Sequence, residues 1–271
     1  GLIIRLKNLN MINKLDWPSI QTRHSLNEIE KISQAIKSAD TFSLGKYLAD
    51  FENNFSKFLN VKHCFGVNSA TSALEIAALI SQSGENDEIL LPAHTYTASA
   101  LPFLRLKSKL IFVDIDQDTF LMDLNDLQNK ITKKSKVIVA PHLYGLSLNM
   151  NKLMQIAKEN NLFVIEDCAQ SPGAEYDGIK VGTFGNIGCF SFHTQKNITT
   201  LGEGGMIVTN NDKIAHHISS MRKIGHAPYE NQKKYWIPAM SNIIETLPGK
   251  LPSNFKMSEI NAFAGNLILK R

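Results

Sequence analysis

Between residues 61 and 167, short apolar runs alternate with segments of helical period, and this limits the fold more than any other property of the chain. VKHCFGV (61–67) precedes a helical pattern over 73–80. DEILL (87–91), stopped by Pro92, precedes one reaching about residue 106. KLIFV (109–113) precedes 124–131. VIVA (137–140) precedes a helix capped by Asn149 and reaching 159, and LFVI (162–165) follows. Strands joined through helices lie parallel, and a parallel sheet needs helices over both faces. The expected fold is α/β, three layers deep, with a mostly parallel sheet in the middle.

Two helical patterns come earlier. The first, 25–39, opens on a capping box of Ser25 with Glu28 and sets Ile29, Ile32 and Ile36 at helical spacing. The second, 46–59, carries Leu48, Phe51, Phe55 and Phe58 on one side. Patterns over 213–223 and 257–270 close the chain. Between them, 225–253 has Tyr229, Tyr235, Trp236 and prolines but no period, as expected of a functional, mobile or interface loop.

Composition excludes several classes. With 271 residues, 43% hydrophobic and 20% charged, the chain suits one large soluble domain or two small ones. The net charge of +4 comes from scattered lysines with no basic aromatic stripe, so no nucleic-acid partner is expected. No apolar run approaches about 18 residues, so no membrane span is expected. The opening GLIIRLKNLN is interrupted by polar residues too early for a signal peptide. Cys64, Cys168 and Cys189 each sit in or beside an apolar run, and no C-x-x-C pair exists. That argues against a zinc or thioredoxin motif and for a reducing, cytoplasmic compartment. Both ends read as cut: the first residue is Gly1, and NLILKR stops inside a helical pattern.

Chemistry concentrates in 162–209. LFVI ends in Glu166 and Asp167; a second apolar run, 187–192, leads to Lys196; a glycine-rich loop, 202–205, follows. Singly, a lysine is a solvated charge and an acid after a strand is a turn or cap residue. Jointly they suit pyridoxal 5′-phosphate, with the lysine on its aldehyde and the acid facing its ring nitrogen. A lysine between an apolar strand and a small flexible loop can be desolvated, which lowers its pKa. Upstream, a strand runs through Asn68, Ser69, Ala70, Thr71 and Ser72 into a helix, an arrangement that seats a phosphate or merely caps the helix. Neither a P-loop nor a G-x-G-x-x-G fingerprint is present. Tyr96, at another strand-to-helix junction, stacks on a ring or packs in the core. His94 reads as a turn residue, and Asp114 and Asp116 as turn acids rather than magnesium ligands.

The order and spacing of NSATSAL, LLPAHTYTASA, VDID, APHLYG and EDCAQSPGA…VGTFGNIGCFSFHTQKNITTLGEGGMIVTN resemble the DegT/DnrJ/EryC1/StrS sugar aminotransferases. That family has the aspartate-aminotransferase-like fold type I. The resemblance implies Lys196 as the Schiff-base lysine and proton shuttle, Asp167 at the pyridine nitrogen, and Gln170 by the phenolic oxygen. Tyr96 would stack on the ring, and Ala70, Thr71 and Ser191 would hold the phosphate. Asn254 would reach the phosphate of a neighbouring subunit's cofactor, so the site would be shared across a homodimer. The implied reaction moves an amino group from an amino acid, glutamate, to a nucleotide-linked keto-sugar, for amino sugars of surface polysaccharide. Ala70 stands where the family has Gly, and Ser253 and Lys256 replace its usual Gly and Arg beside Asn254. The implied domains are an N-terminal helical segment (1–60), a cofactor-binding large domain (61–250), and a helix leading into a truncated C-terminal domain (251–271). Related sugar dehydratases have His in place of the lysine, and Lys196 argues against that alternative. A non-catalytic cofactor-binding regulator is the other alternative.

Overall fold

Alternation of buried side chains along each strand sorts the sheet into two covered faces. In the computed structural model, which describes residues 24–226 and 247–271, seven strands form one sheet. They are β1 (His63–Val67), β2 (Glu88–Pro92), β3 (Lys109–Val113), β4 (Ser135–Pro141), β5 (Phe163–Asp167), β8 (Ile187–Ser191) and β9 (Gly205–Thr209). A separate ribbon pairs β6 (Glu175–Tyr176) with β7 (Ile179–Lys180). The spatial order is β1-β9-β8-β5-β4-β2-β3.

Within the seven-stranded sheet the pairs β3–β2, β2–β4, β4–β5 and β5–β8 are all parallel. β1 departs from the expected series. It pairs with β9 alone, antiparallel, at the far edge from β2. β9 also runs against β8 and was not expected as a strand. Its three apolar residues behind a glycine tract carry no period that announces one.

The helices are α1 (Leu26–Ser38), α2 (Lys46–Leu59), α3 (Ala70–Ile80), α4 (Leu101–Arg105), α5 (Leu124–Lys130), α6 (Met150–Glu159), α7 (Asp212–Met221) and α8 (Glu259–Leu269). Ile89, Val137, Ile165, Cys189 and Ile207 point to one face, against α3, α4 and α7. Their neighbours point the other way. Leu90, Ile138 and Val164 meet α5 and α6, while Phe190, Met206 and Val208 meet α2 and α8. On that second face Phe55 contacts Phe190 and Phe192 at centroid separations of 5.2 and 5.4 Å. Such ring pairs add about 0.5–1.5 kcal/mol to burial.

A distant residue caps α2. Its N-cap Gly45 has no side chain, and Glu259 of α8 accepts from the amides of Gly45 (2.7 Å), Tyr47 (2.8 Å) and Leu48 (3.2 Å) instead. These are amides that a helix start leaves without partners. In α1 the period is as expected but the face differs. Ile32 is buried beside Glu28 and Ala35, whereas Ile29 and Ile36 are exposed. Among the described residues, no helix is long and apolar enough to cross a membrane. The opening decapeptide and the Tyr229, Tyr235 and Trp236 stretch lie outside the described residues.

Candidate active site

Strands that run parallel end together, and their carboxyl ends leave a crevice where ligands bind. Here β5 ends at Asp167 and β8 at Ser191, both on the α3 face. A cavity of about 290 Å³ opens there. Ala70, Thr71 and Ser191 line one part of it, and Asp167, Gln170, Tyr96 and Lys196 the rest. Asn254 does not line it; that residue is exposed and pairs with Lys223 in a short antiparallel bridge.

The start of α3 has the geometry to seat an anion. The helix begins at Ala70, three residues before the expected 73, with Ser69 as N-cap. The Ser69 hydroxyl takes the Ser72 amide at 3.1 Å. By helix geometry the Ala70 and Thr71 amides have no acceptor within the helix, and they carry the positive end of its dipole. Gly205 keeps this start close to β9. A Cβ on that residue would stand 2.5 Å from the Ser69 carbonyl carbon and 2.7 Å from the Ala70 nitrogen.

Asp167 is nearly buried and fixed at both oxygens. Ser99 donates to Oδ2 at 2.7 Å and the Ala169 amide to Oδ1 at 3.1 Å. Ser99 in turn meets the Thr95 hydroxyl at 2.9 Å. Sequence reasoning missed Ser99, which lies 68 residues before its partner with no motif to mark it. Lys196 sits half-buried on the turn after β8. Burial holds its pKa below the ordinary 10.5, and the Asp167 charge opposes that shift. Tyr96 is 72% exposed and lines the cavity, so it is not a core residue. His94 pairs with the Tyr144 hydroxyl at 3.0 Å, and Asp116 accepts from Asp118 and Thr119 in its own turn.

Glu166, one residue from Asp167, points to the opposite face. It accepts from the amides of Gly182, Phe184 and Gly185 at 2.7, 2.8 and 2.6 Å, and from the His142 ring at 3.1 Å. Glu166, His142 and Cys168 form the one close group of metal-ligating types among the described residues. The glutamate oxygens are already occupied, and burial keeps the Cys168 thiol protonated. A thiol binds metal as its thiolate, so this cluster is packing.

A helix amino end, an anchored carboxylate and a half-buried amine thus share one cavity. Residues 23–271 match the profile of the DegT/DnrJ/EryC1/StrS aminotransferase family. The chain belongs to that family. It is 39% identical over 219 residues to GDP-perosamine synthase of Escherichia coli O157:H7, covering 81% of this chain and 59% of that protein. It is 37% identical over 222 residues to dTDP-3-amino-3,6-dideoxy-alpha-D-galactopyranose transaminase of Aneurinibacillus thermoaerophilus, covering 82% and 61%. Among solved structures, an aminotransferase from Psychrobacter cryohalolentis superposes with a TM-score of 0.86 at 29% identity, covering 93% of this chain and 63% of that one. The chain therefore spans about six-tenths of the length of the family members it matches.

Proposed function

We propose that this chain is the cofactor-binding part of a pyridoxal 5′-phosphate aminotransferase. The enzyme moves an amino group from an amino acid, glutamate, to a nucleotide-linked keto-sugar. The observation that carries this is Asp167 and Lys196 in one cavity with the amino end of α3. The names of the relatives support the substrate class, since they carry GDP- and dTDP-linked amino sugars.

The residues lining the cavity fit this cofactor. The Ala70 and Thr71 amides, with the Thr71 and Ser191 hydroxyls, hold its phosphate, replacing water with donors already in place. Asp167, fixed by Ser99, would hold a proton on the ring nitrogen. Lys196 would tether the aldehyde, Gln170 would face the phenolic oxygen, and Tyr96 would cover one ring face. The bound cofactor supplies an electron sink for the charge that develops at the donor's α-carbon. Once the donor's own amino group had displaced it from the aldehyde, Lys196 Nζ would be a free amine able to take the proton from that carbon. Burial lowers its pKa from the ordinary 10.5, the direction that favours a free amine. Asn254, exposed and outside this cavity, reaches the corresponding site of a second copy in a homodimer. The products serve amino-sugar polysaccharides, and the protein works in the cytoplasm.

The deciding experiment mixes the full-length protein with pyridoxal 5′-phosphate and follows visible absorbance through desalting. The wild type retains a coloured, tethered cofactor, and Lys196→Ala releases it. An unchanged spectrum in the variant removes Lys196 from this role.

A further inference from the structure

The turn that carries Lys196 is HTQK, 193–196, and each of its four amides has an acceptor. The His193 amide donates to the Ser191 hydroxyl at 3.3 Å, and Thr194 to the Gly202 carbonyl at 2.8 Å. The Lys196 amide donates to the His193 carbonyl at 2.8 Å. The Gln195 amide donates to the ring Nδ1 of His193 at 3.3 Å. Three of these acceptors are neutral oxygens. The fourth is an imidazole nitrogen, which accepts only while it carries no proton.

The same bond fixes the tautomer. With Nδ1 accepting, the neutral ring bears its hydrogen on Nε2. That nitrogen faces Glu203 Oε1 of the glycine-rich loop at 3.7 Å. The loop is itself anchored: the Glu203 carbonyl accepts from Thr200 at 2.8 Å and from Asn261 of α8 at 3.0 Å. His193, Glu203 and Lys196 all line the active-site cavity.

We propose that His193 is a positioning residue for Lys196, its ring strapping the lysine turn to the glycine-rich loop and releasing the turn when it takes a second proton. This rests on the assignment of Lys196 above. A doubly protonated ring cannot accept from Gln195, so the turn loses one of its four bonds. The charged groups sharing the cavity with the ring are Glu203, Lys196 and Asp167. Glu203 attracts the imidazolium toward the loop, away from the Gln195 amide, so proton uptake pulls the strap in one direction.

The test uses His193→Asn and His193→Ala in the full-length protein. Asparagine places a non-titrating Oδ1 where Nδ1 stood and can accept from the amide two residues on, whereas alanine offers nothing. Hydrogen exchange of the 193–196 amides, corrected for intrinsic rate, reads the turn without cofactor. In wild type, protection falls by about 3- to 10-fold on going from pH 8 to pH 5, the worth of one hydrogen bond. The asparagine variant keeps its protection at both values, and the alanine variant lacks it at both. Release of pyridoxal 5′-phosphate after dilution follows the same order.

A wild-type pH response retained in the asparagine variant overturns the proposal, as does wild-type protection in the alanine variant. Failure of the wild type to bind the cofactor would sink the functional reading instead, while the exchange pattern still decides the strap.

Discussion

Glu166 and Asp167 are adjacent acids at the end of one strand, and they do opposite work. Glu166 is fully buried, with both oxygens taken by three backbone amides and an imidazole. It closes the turn between β7 and β8 onto the sheet. Asp167 faces the other way, held by Ser99 and Ala169 into a cavity shared with Lys196. Because side chains alternate along a strand, a shift of one residue separates architecture from chemistry. Groups on the first face supply stability, and groups on the second are poised for a ligand and give some of it up.

The comparison breaks most visibly in activity. Asp167→Asn keeps the shape but removes the charge expected at the ring nitrogen. Transaminase turnover by the full-length enzyme should fall on the order of 10²- to 10³-fold, as when one fixed electrostatic group is lost. Its unfolding free energy should stay within about 1 kcal/mol of wild type. Glu166→Ala should do the reverse in kind. It strands three backbone amides and a buried histidine, and the expected loss is about 3–5 kcal/mol of stability, read by urea unfolding. Equal effects of the two substitutions on stability would erase the division between the faces.

That division was legible only in part from the sequence. The parallel strands β2, β3, β4 and β5 could be read because each apolar run is local and bounded by its own turn. β9 could not, since Met206, Ile207 and Val208 owe their strand to β1 and β8 on either side. In α1 the capping box located the helix start, but packing against α8 selected Ile32 over Ile29 and Ile36 as the buried face. Asp167 and Lys196 stood out through their positions after apolar strands. Ser99 and the Glu166 contacts did not, because their partners are fixed by the fold. Glu259 is the same case, capping a helix more than 200 residues away.

Gly205 sharpens the comparison at the backbone. Its pairing with Val67 and Ser191 puts it beneath the anion seat. A methyl group there must push against the backbone of Ser69 and Ala70. Overpacking of this kind costs about 1–3 kcal/mol. The displaced amides should weaken pyridoxal 5′-phosphate binding by about tenfold, since 1.4 kcal/mol is one decade in affinity. Gly84, where an added methyl meets open space, is the control, and Gly84→Ala should change neither quantity. A Gly205→Ala protein that binds as tightly as wild type would show that the start of α3 is not the seat.

The smallest effect concerns the burden of the cavity face itself. Burial lowers the Lys196 pKa below the 10.5 it has in the unfolded chain, despite the opposing Asp167 charge. Below the folded value the lysine is charged in both states, and the fold bears the full desolvation penalty. As pH rises from there toward 10.5, the unfolded state binds more protons than the folded one, so stability increases. Lys196→Met keeps an apolar stem and removes the amine. The cofactor-free variant should therefore be more stable than wild type at neutral pH, and the gap should close as pH approaches 10.5. Urea unfolding of both proteins across that range measures it. A gap that stays constant would mean that packing, not charge, separates the two, and Lys196 would no longer count as a group held at a cost to the fold.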